Sequence, residues 1–214
     1  MPLRTLVPLL FLVLLTACGS SSGLTATPIP TSEPVLTPEV PQAGTEISPP
    51  REVTDFTLPS SNGGQPLSLS DLRGKPLLLY FGYTFCPDIC PTTLVEFIGV
   101  KQDLGEQRDA FNVLMVSVDP ERDTPAVLER YLKVYDPSFI GMSGDAAILQ
   151  QIGPEYDLFY QRHAVEGSAA AYLVDHSASA YLLDRQGRLR FIYRFGTPHT
   201  VISADIQRLI AEQE

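Results

Sequence analysis

The stretch from Lys75 to Tyr83 is a run of Leu, Tyr and Phe with Gly82 near its end, and it leads into Cys86-Pro87-Asp88-Ile89-Cys90-Pro91. Read with its neighbours, such a run is a buried central strand. Pro91 then suits the first turn of a helix, in which Leu94, Phe97, Ile98 and Leu104 fall near one face. A buried strand running directly into a helix is the start of an α/β domain, here from about Arg51 onward.

The remaining elements follow in the same alternation. Phe111 to Val118 is a second buried strand, closed by Asp119-Pro120. Thr124-Pro125 is a cap and a first-turn proline, and Leu128, Tyr131, Leu132 and Tyr135 carry that helix onward. A short helix is predicted over Asp145 to Ile152, then strands over Leu158 to Arg162, Ser179 to Leu183 and Leu189 to Phe195. Asp184-Arg185-Gln186-Gly187 is a turn that makes the last two a hairpin. Thr200 to Gln213 is a closing helix. Strand, helix, strand, helix, hairpin and final helix is the order of a thioredoxin-like fold, a central mixed β-sheet flanked by helices.

The 214 residues suit one such domain plus a tail, and with 44% hydrophobic and 19% charged residues the chain has the means to bury a core. A formal charge of −10 repels phosphate backbones, so no nucleic-acid partner is expected.

The tail precedes the domain. Arg4 and the apolar run Leu6 to Leu15 read as a signal peptide over residues 1–17, since ten residues are too few to cross roughly 30 Å of hydrocarbon. Leu15-Thr16-Ala17-Cys18-Gly19 resembles the lipobox of bacterial lipoproteins, which predicts lipidation of Cys18 and a protein anchored to the membrane by lipid rather than by charge. Prolines at 28, 30, 34, 38, 41, 49 and 50, among Ser, Thr and Glu, make residues 18–50 a lipidated cysteine and an extended polar tether. The globular domain is expected over 51–214.

With Cys18 committed to lipid, Cys86 and Cys90 remain. Four positions apart near a helix N-terminus, their sulfurs lie on the same side about one turn from each other, and the helix end favours the thiolate. Two convergent thiolates suit Cu(I), Zn(II) or disulfide chemistry. Three residues separate the cysteines, where redox thioredoxin sites usually have two. The segment Val174-Asp175-His176-Ser177-Ala178-Ser179, placed to face them, holds a histidine where a thioredoxin-like oxidoreductase has a proline. Two thiolates and an imidazole suit copper, sulfur holding Cu(I) and nitrogen helping to hold Cu(II). Spacing alone leaves His176 open against His163 and His199. Asp119, closing a strand near the site, is either a turn residue or a side chain that orients a ligand from behind. Asp88 reads as complementing the helix end or facing solvent, and Glu121, Arg122 and Asp123 as a solvated loop.

Three blocks carry a likeness to a known family: Tyr83-Thr84-Phe85-Cys86-Pro87-Asp88-Ile89-Cys90-Pro91, then Ser117-Val118-Asp119-Pro120-Glu121-Arg122-Asp123-Thr124-Pro125, then Asp175-His176-Ser177 leading into Tyr181-Leu182-Leu183-Asp184. The chain resembles the Sco/SenC family of copper-binding, thioredoxin-fold proteins that help assemble cytochrome c oxidase. The resemblance implies that Cys86, Cys90 and His176 are copper ligands. It implies a membrane-tethered metallochaperone on the extracytoplasmic face, serving cytochrome c oxidase subunit II or other copper proteins. A rival role shares the site: a thiol–disulfide oxidoreductase using Cys86 and Cys90 as its redox pair to keep the partner's cysteines reduced.

Overall fold

The computed structural model describes residues 43–165 and 171–212. Its strands are β1 (Thr45–Arg51), β2 (Thr57–Pro59), β3 (Pro66–Ser68), β4 (Leu77–Gly82), β5 (Asn112–Ser117), β6 (Ile140–Met142), β7 (Tyr160–Ala164), β8 (Tyr172–His176), β9 (Ala180–Leu183) and β10 (Leu189–Tyr193). The α-helices are α1 (Ile89–Asp103), α2 (Pro125–Lys133), α3 (Ala146–Ile152) and α4 (His199–Ala211). None of the helices among the described residues is long and apolar enough to cross a membrane.

One six-stranded mixed sheet, in the order β1-β10-β9-β4-β5-β6, forms the centre. β4 and β5 run parallel with Leu79 opposite Leu114, β5 and β6 are also parallel, and β9 is antiparallel to both β4 and β10. The expected central strand is therefore the middle of the sheet, and every residue of β4 is buried. Parallel pairing of β4 with β5 requires a crossover, which α1 supplies. This helix buries Leu94, Phe97 and Val100 and packs against α4, which buries Ile202, Ile206 and Leu209. α2 starts as read: Thr124 accepts from the Val127 N–H, Pro125 sits in the first turn, and Leu128 and Leu132 are buried over β6. The β9–β10 turn is held by Asp184, whose Oδ1 accepts from the N–H groups of Gln186 and Arg188, with Gly187 at φ +85° where a side chain would be strained.

Two small antiparallel hairpins stand outside this sheet, β2–β3 and β7–β8. The second places Tyr160 opposite His176 and so presents that histidine at its end.

The structure departs from the sequence reading at several places, among them the short strands β2, β3 and β6, which that reading lacks. β1 covers Thr45–Arg51 and pairs with β10, so the sheet begins inside the stretch read as tether. Pro49 and Pro50 argue against a central strand, but β1 is an edge strand, where missing N–H donors are tolerated. α1 begins at Ile89, two residues before Pro91, after a bend at Asp88. β8 also went unread: its residues alternate too weakly to signal a strand without their partner β7. The segment read as a signal peptide and Cys18 lie outside the described residues.

Candidate metal centre

β4 ends at Gly82, the chain turns through Tyr83 to Asp88, and α1 begins, so both cysteines sit where a central strand meets a helix N-terminus. The backbone N–H of Cys90 donates to Cys86 Sγ at 3.3 Å, which folds the three intervening residues into a tight turn. His176 arrives from the other side at the end of β8, with Nε2 3.4 Å from Cys90 Sγ. Its Nδ1 lies 2.9 Å from the Ser177 carbonyl oxygen. A carbonyl only accepts, so Nδ1 carries a hydrogen, and Nε2 is the ring nitrogen turned toward the sulfurs. The rings of Tyr80 and Tyr83 stand edge-on to the imidazole at 6.2 and 5.7 Å.

The three donor atoms, two sulfurs and Nε2, all lie within 4.8 Å of one another. A soft cation at their centre would need little rearrangement to bind all three. The site also has an inside and an outside. Cys90 is fully buried, whereas Cys86 keeps 9% exposure and lines a cleft of about 280 Å³ together with Tyr83, Ile89, Leu173 and His176. The two thiols are driven apart in acidity. The hydrogen bond from Cys90 pulls the Cys86 thiol far below its ordinary range, against the effect of burial and with help from His176. Cys90, whose proton serves that bond, is pushed far upward by Cys86 and by burial. One sulfur is a ready thiolate at the mouth and the other a thiol held in reserve behind it.

Gly82 makes the close approach of α1 to β4 possible. A Cβ there would fall 2.6 Å from Tyr80 Cε1 and 3.1 Å from Cys90 Sγ. Residues read as a solvated loop prove to be the frame of the site, which corrects that expectation. Asp123 is fully buried and accepts from the Thr84 N–H at 3.0 Å, from the Thr84 hydroxyl at 2.5 Å and from the Ser117 hydroxyl at 2.6 Å. It thereby ties the cysteine loop to the end of β5. Arg122 lies over the rings of Tyr172 at 3.7 Å and Phe85 at 4.6 Å, and donates to the Tyr172 carbonyl at 3.0 Å. Glu121 is the exposed member of the three and pairs with Arg162 at 2.6 Å.

Asp119 touches none of the three candidate ligands. Buried at 0% exposure, it accepts from Arg122 Nε at 2.5 Å and from the Tyr172 hydroxyl at 2.7 Å. Through Tyr172 and Arg162 it anchors the β7–β8 hairpin, at whose end His176 stands. Asp88 is exposed. Of the competing histidines, His163 lines the same cleft but pairs with Asp175 at 3.3 Å and stands outside the donor cluster, and His199 opens α4 with Nδ1 2.7 Å from Asp103. The sequence reading gives Tyr80, Gly82 and Asp123 no role at the site. Their partners lie up to 39 positions away, and no local pattern marks them.

Comparison with known proteins agrees with this geometry. The family described as SCO1/SenC matches residues 44–211. A SCO2-like protein of Rickettsia felis is 34% identical over 149 residues, covering 69% of this chain and 72% of its own. The copper-bound structure of Bradyrhizobium japonicum ScoI aligns with a TM-score of 0.66 at 37% identity, covering 73% of this chain and 98% of that one. Apo Sco1 from Thermus thermophilus aligns at 0.68 and 36%, covering 81% and 99%. The match spans the cysteine turn, the β5–α2 frame and the histidine hairpin together, and this chain belongs to the SCO1/SenC family.

Proposed function

We propose that the protein binds one copper ion through Cys86, Cys90 and His176 and delivers it to the copper centre of cytochrome c oxidase subunit II or to another copper protein. The observation that carries this reading is the convergence of two sulfurs and an imidazole nitrogen within 4.8 Å. Two thiolates satisfy Cu(I), and the nitrogen adds the harder donor that Cu(II) prefers. The copper-bound ScoI of Bradyrhizobium japonicum, at 37% identity, supports the choice of metal. Delivery follows from the asymmetry of the site. Cys86 faces the cleft, so an incoming thiolate reaches the ion from that side while Cys90 and His176 hold it from behind. The lipobox-like sequence at Cys18 supports a lipid anchor and work on the extracytoplasmic face of the membrane.

A second reading uses the same sulfurs. A thiolate at the mouth with a protonated thiol behind it is the arrangement of a dithiol reductant. Cys86 attacks one sulfur of a partner disulfide and forms a mixed disulfide, releasing the other sulfur as a thiolate. Cys90 then gives up its proton and attacks Cys86, leaving a Cys86–Cys90 disulfide and a partner dithiol that has gained two electrons.

The test mixes Cu(I)-loaded protein, or reduced copper-free protein, with the purified soluble domain of oxidase subunit II in its dithiol and disulfide forms. Copper moving to the dithiol form supports delivery. Reduction of the disulfide form without metal transfer selects the second reading, and neither result refutes both. Mass spectrometry of the mature protein tests the anchor, which requires a lipid mass on Cys18 as first residue.

A further inference from the structure

The two sulfurs receive hydrogen bonds from different kinds of donor. Cys86 Sγ accepts from the Cys90 backbone N–H, a bond the turn supplies whatever the side chains are. Cys90 Sγ accepts from the Tyr80 hydroxyl at 3.3 Å. Tyr80 belongs to β4 and is fully buried, with its ring edge-on to Phe97 at 6.0 Å. A buried phenol needs an acceptor, and this one is aimed at a sulfur. Gly82 provides the space in which the ring and the sulfur meet.

We propose that Tyr80 is a positioning residue that acts through Cys90 on bound copper, its hydroxyl favouring Cu(I) over Cu(II). The proposal rests on the copper reading above. A thiolate gives more of its charge to Cu(II) than to Cu(I), so the sulfur is the better acceptor when the metal is reduced. Donation to it therefore stabilises the Cu(I) form and raises the reduction potential, the influence that hydrogen bonds to a ligand sulfur exert in copper sites generally. The same bond favours the reduced pair over the disulfide, because Cys90 Sγ, whose proton is shared with the Cys86 thiolate, carries more negative charge than a disulfide sulfur and accepts better.

Tyr80→Phe removes the hydroxyl and keeps the ring, so the packing on Phe97 and His176 remains. Tyr131→Phe is the control, since it deletes a nearby phenol whose hydroxyl bonds Tyr135 instead. A hydrogen bond to a charged acceptor corresponds to roughly a tenfold change in equilibrium or more. At fixed potential the Cu(II)/Cu(I) ratio of Tyr80→Phe should rise about tenfold, a fall of about 59 mV for a one-electron couple. The sulfur-to-Cu(II) charge-transfer band should move to longer wavelength. In the metal-free protein, the fraction of Cys86–Cys90 disulfide in a glutathione buffer should rise. An unchanged band and potential in Tyr80→Phe overturn the proposal, as does an equal shift in Tyr131→Phe. If neither wild type nor variant takes up copper, the copper reading fails and the glutathione equilibrium decides whether Tyr80 acts on Cys90: a shift supports it and no shift ends it.

Discussion

Replacing Gly82 with alanine adds one methyl group at the most crowded point of the site. The new carbon would stand 2.6 Å from Tyr80 Cε1, 3.1 Å from Cys90 Sγ and 3.3 Å from Met115 Cε. The methionine end yields easily, but the other two do not. Tyr80 is wedged against Phe97 and His176, and Cys90 is fixed in the first turn of α1. Contact at 2.6 Å is far inside van der Waals range, so the ring or the strand must move by most of an ångström. Overpacking a well-filled core costs about 2 kcal/mol. For a domain of this size that lowers the melting temperature by about 4–8 °C. The displacement falls between Tyr80 and Cys90, so copper affinity should drop alongside stability. Calorimetric melts of the reduced metal-free protein and competitive Cu(I) titration measure the two effects. A variant that melts within 1 °C of wild type and binds copper as tightly would show that the glycine is not what lets α1 approach β4.

Three further outcomes follow from the same geometry. Asp123→Ala removes the acceptor of Thr84 and Ser117 and should cost about 3 kcal/mol in denaturant titration; Asp123→Asn should recover most of it, because the amide oxygen still accepts and the Thr84 hydroxyl turns to accept from the amide. His176→Ala should weaken Cu(II) binding roughly tenfold more than Cu(I) binding in competition assays, since two thiolates still satisfy the softer ion. The depressed Cys86 thiol should stay ionised as pH falls, so its iodoacetamide alkylation rate should change less than twofold between pH 8 and pH 6, where an ordinary thiol slows roughly a hundredfold.

What the sequence discloses here depends on how local each feature is. β4, the cysteine turn, α1, β5 and the capped start of α2 are continuous stretches whose apolar spacing, prolines and caps are visible without a partner. The two cysteines are four residues apart and one turn places them together, so their pairing is legible. His176 lies 86 positions from Cys90, and nothing in its neighbourhood separates it from His163 or His199; only the likeness to a family singles it out. Asp123 and Arg122 look like a charged loop because charged residues usually face water. What buries them is Thr84, Phe85 and Tyr172, brought in by tertiary packing from 37 to 50 positions away. β1 is hidden by its own prolines, which an edge strand accepts and a central strand does not.

X-ray absorption of copper-loaded protein at the copper edge addresses the metal centre directly, because it counts the atoms bound to the ion. Two sulfur neighbours and one imidazole nitrogen are predicted for wild type, with the nitrogen contribution lost in His176→Ala and one sulfur lost in Cys90→Ser. A wild-type spectrum without sulfur, or one that His176→Ala leaves unchanged, would mean that copper is held somewhere other than between Cys86, Cys90 and His176.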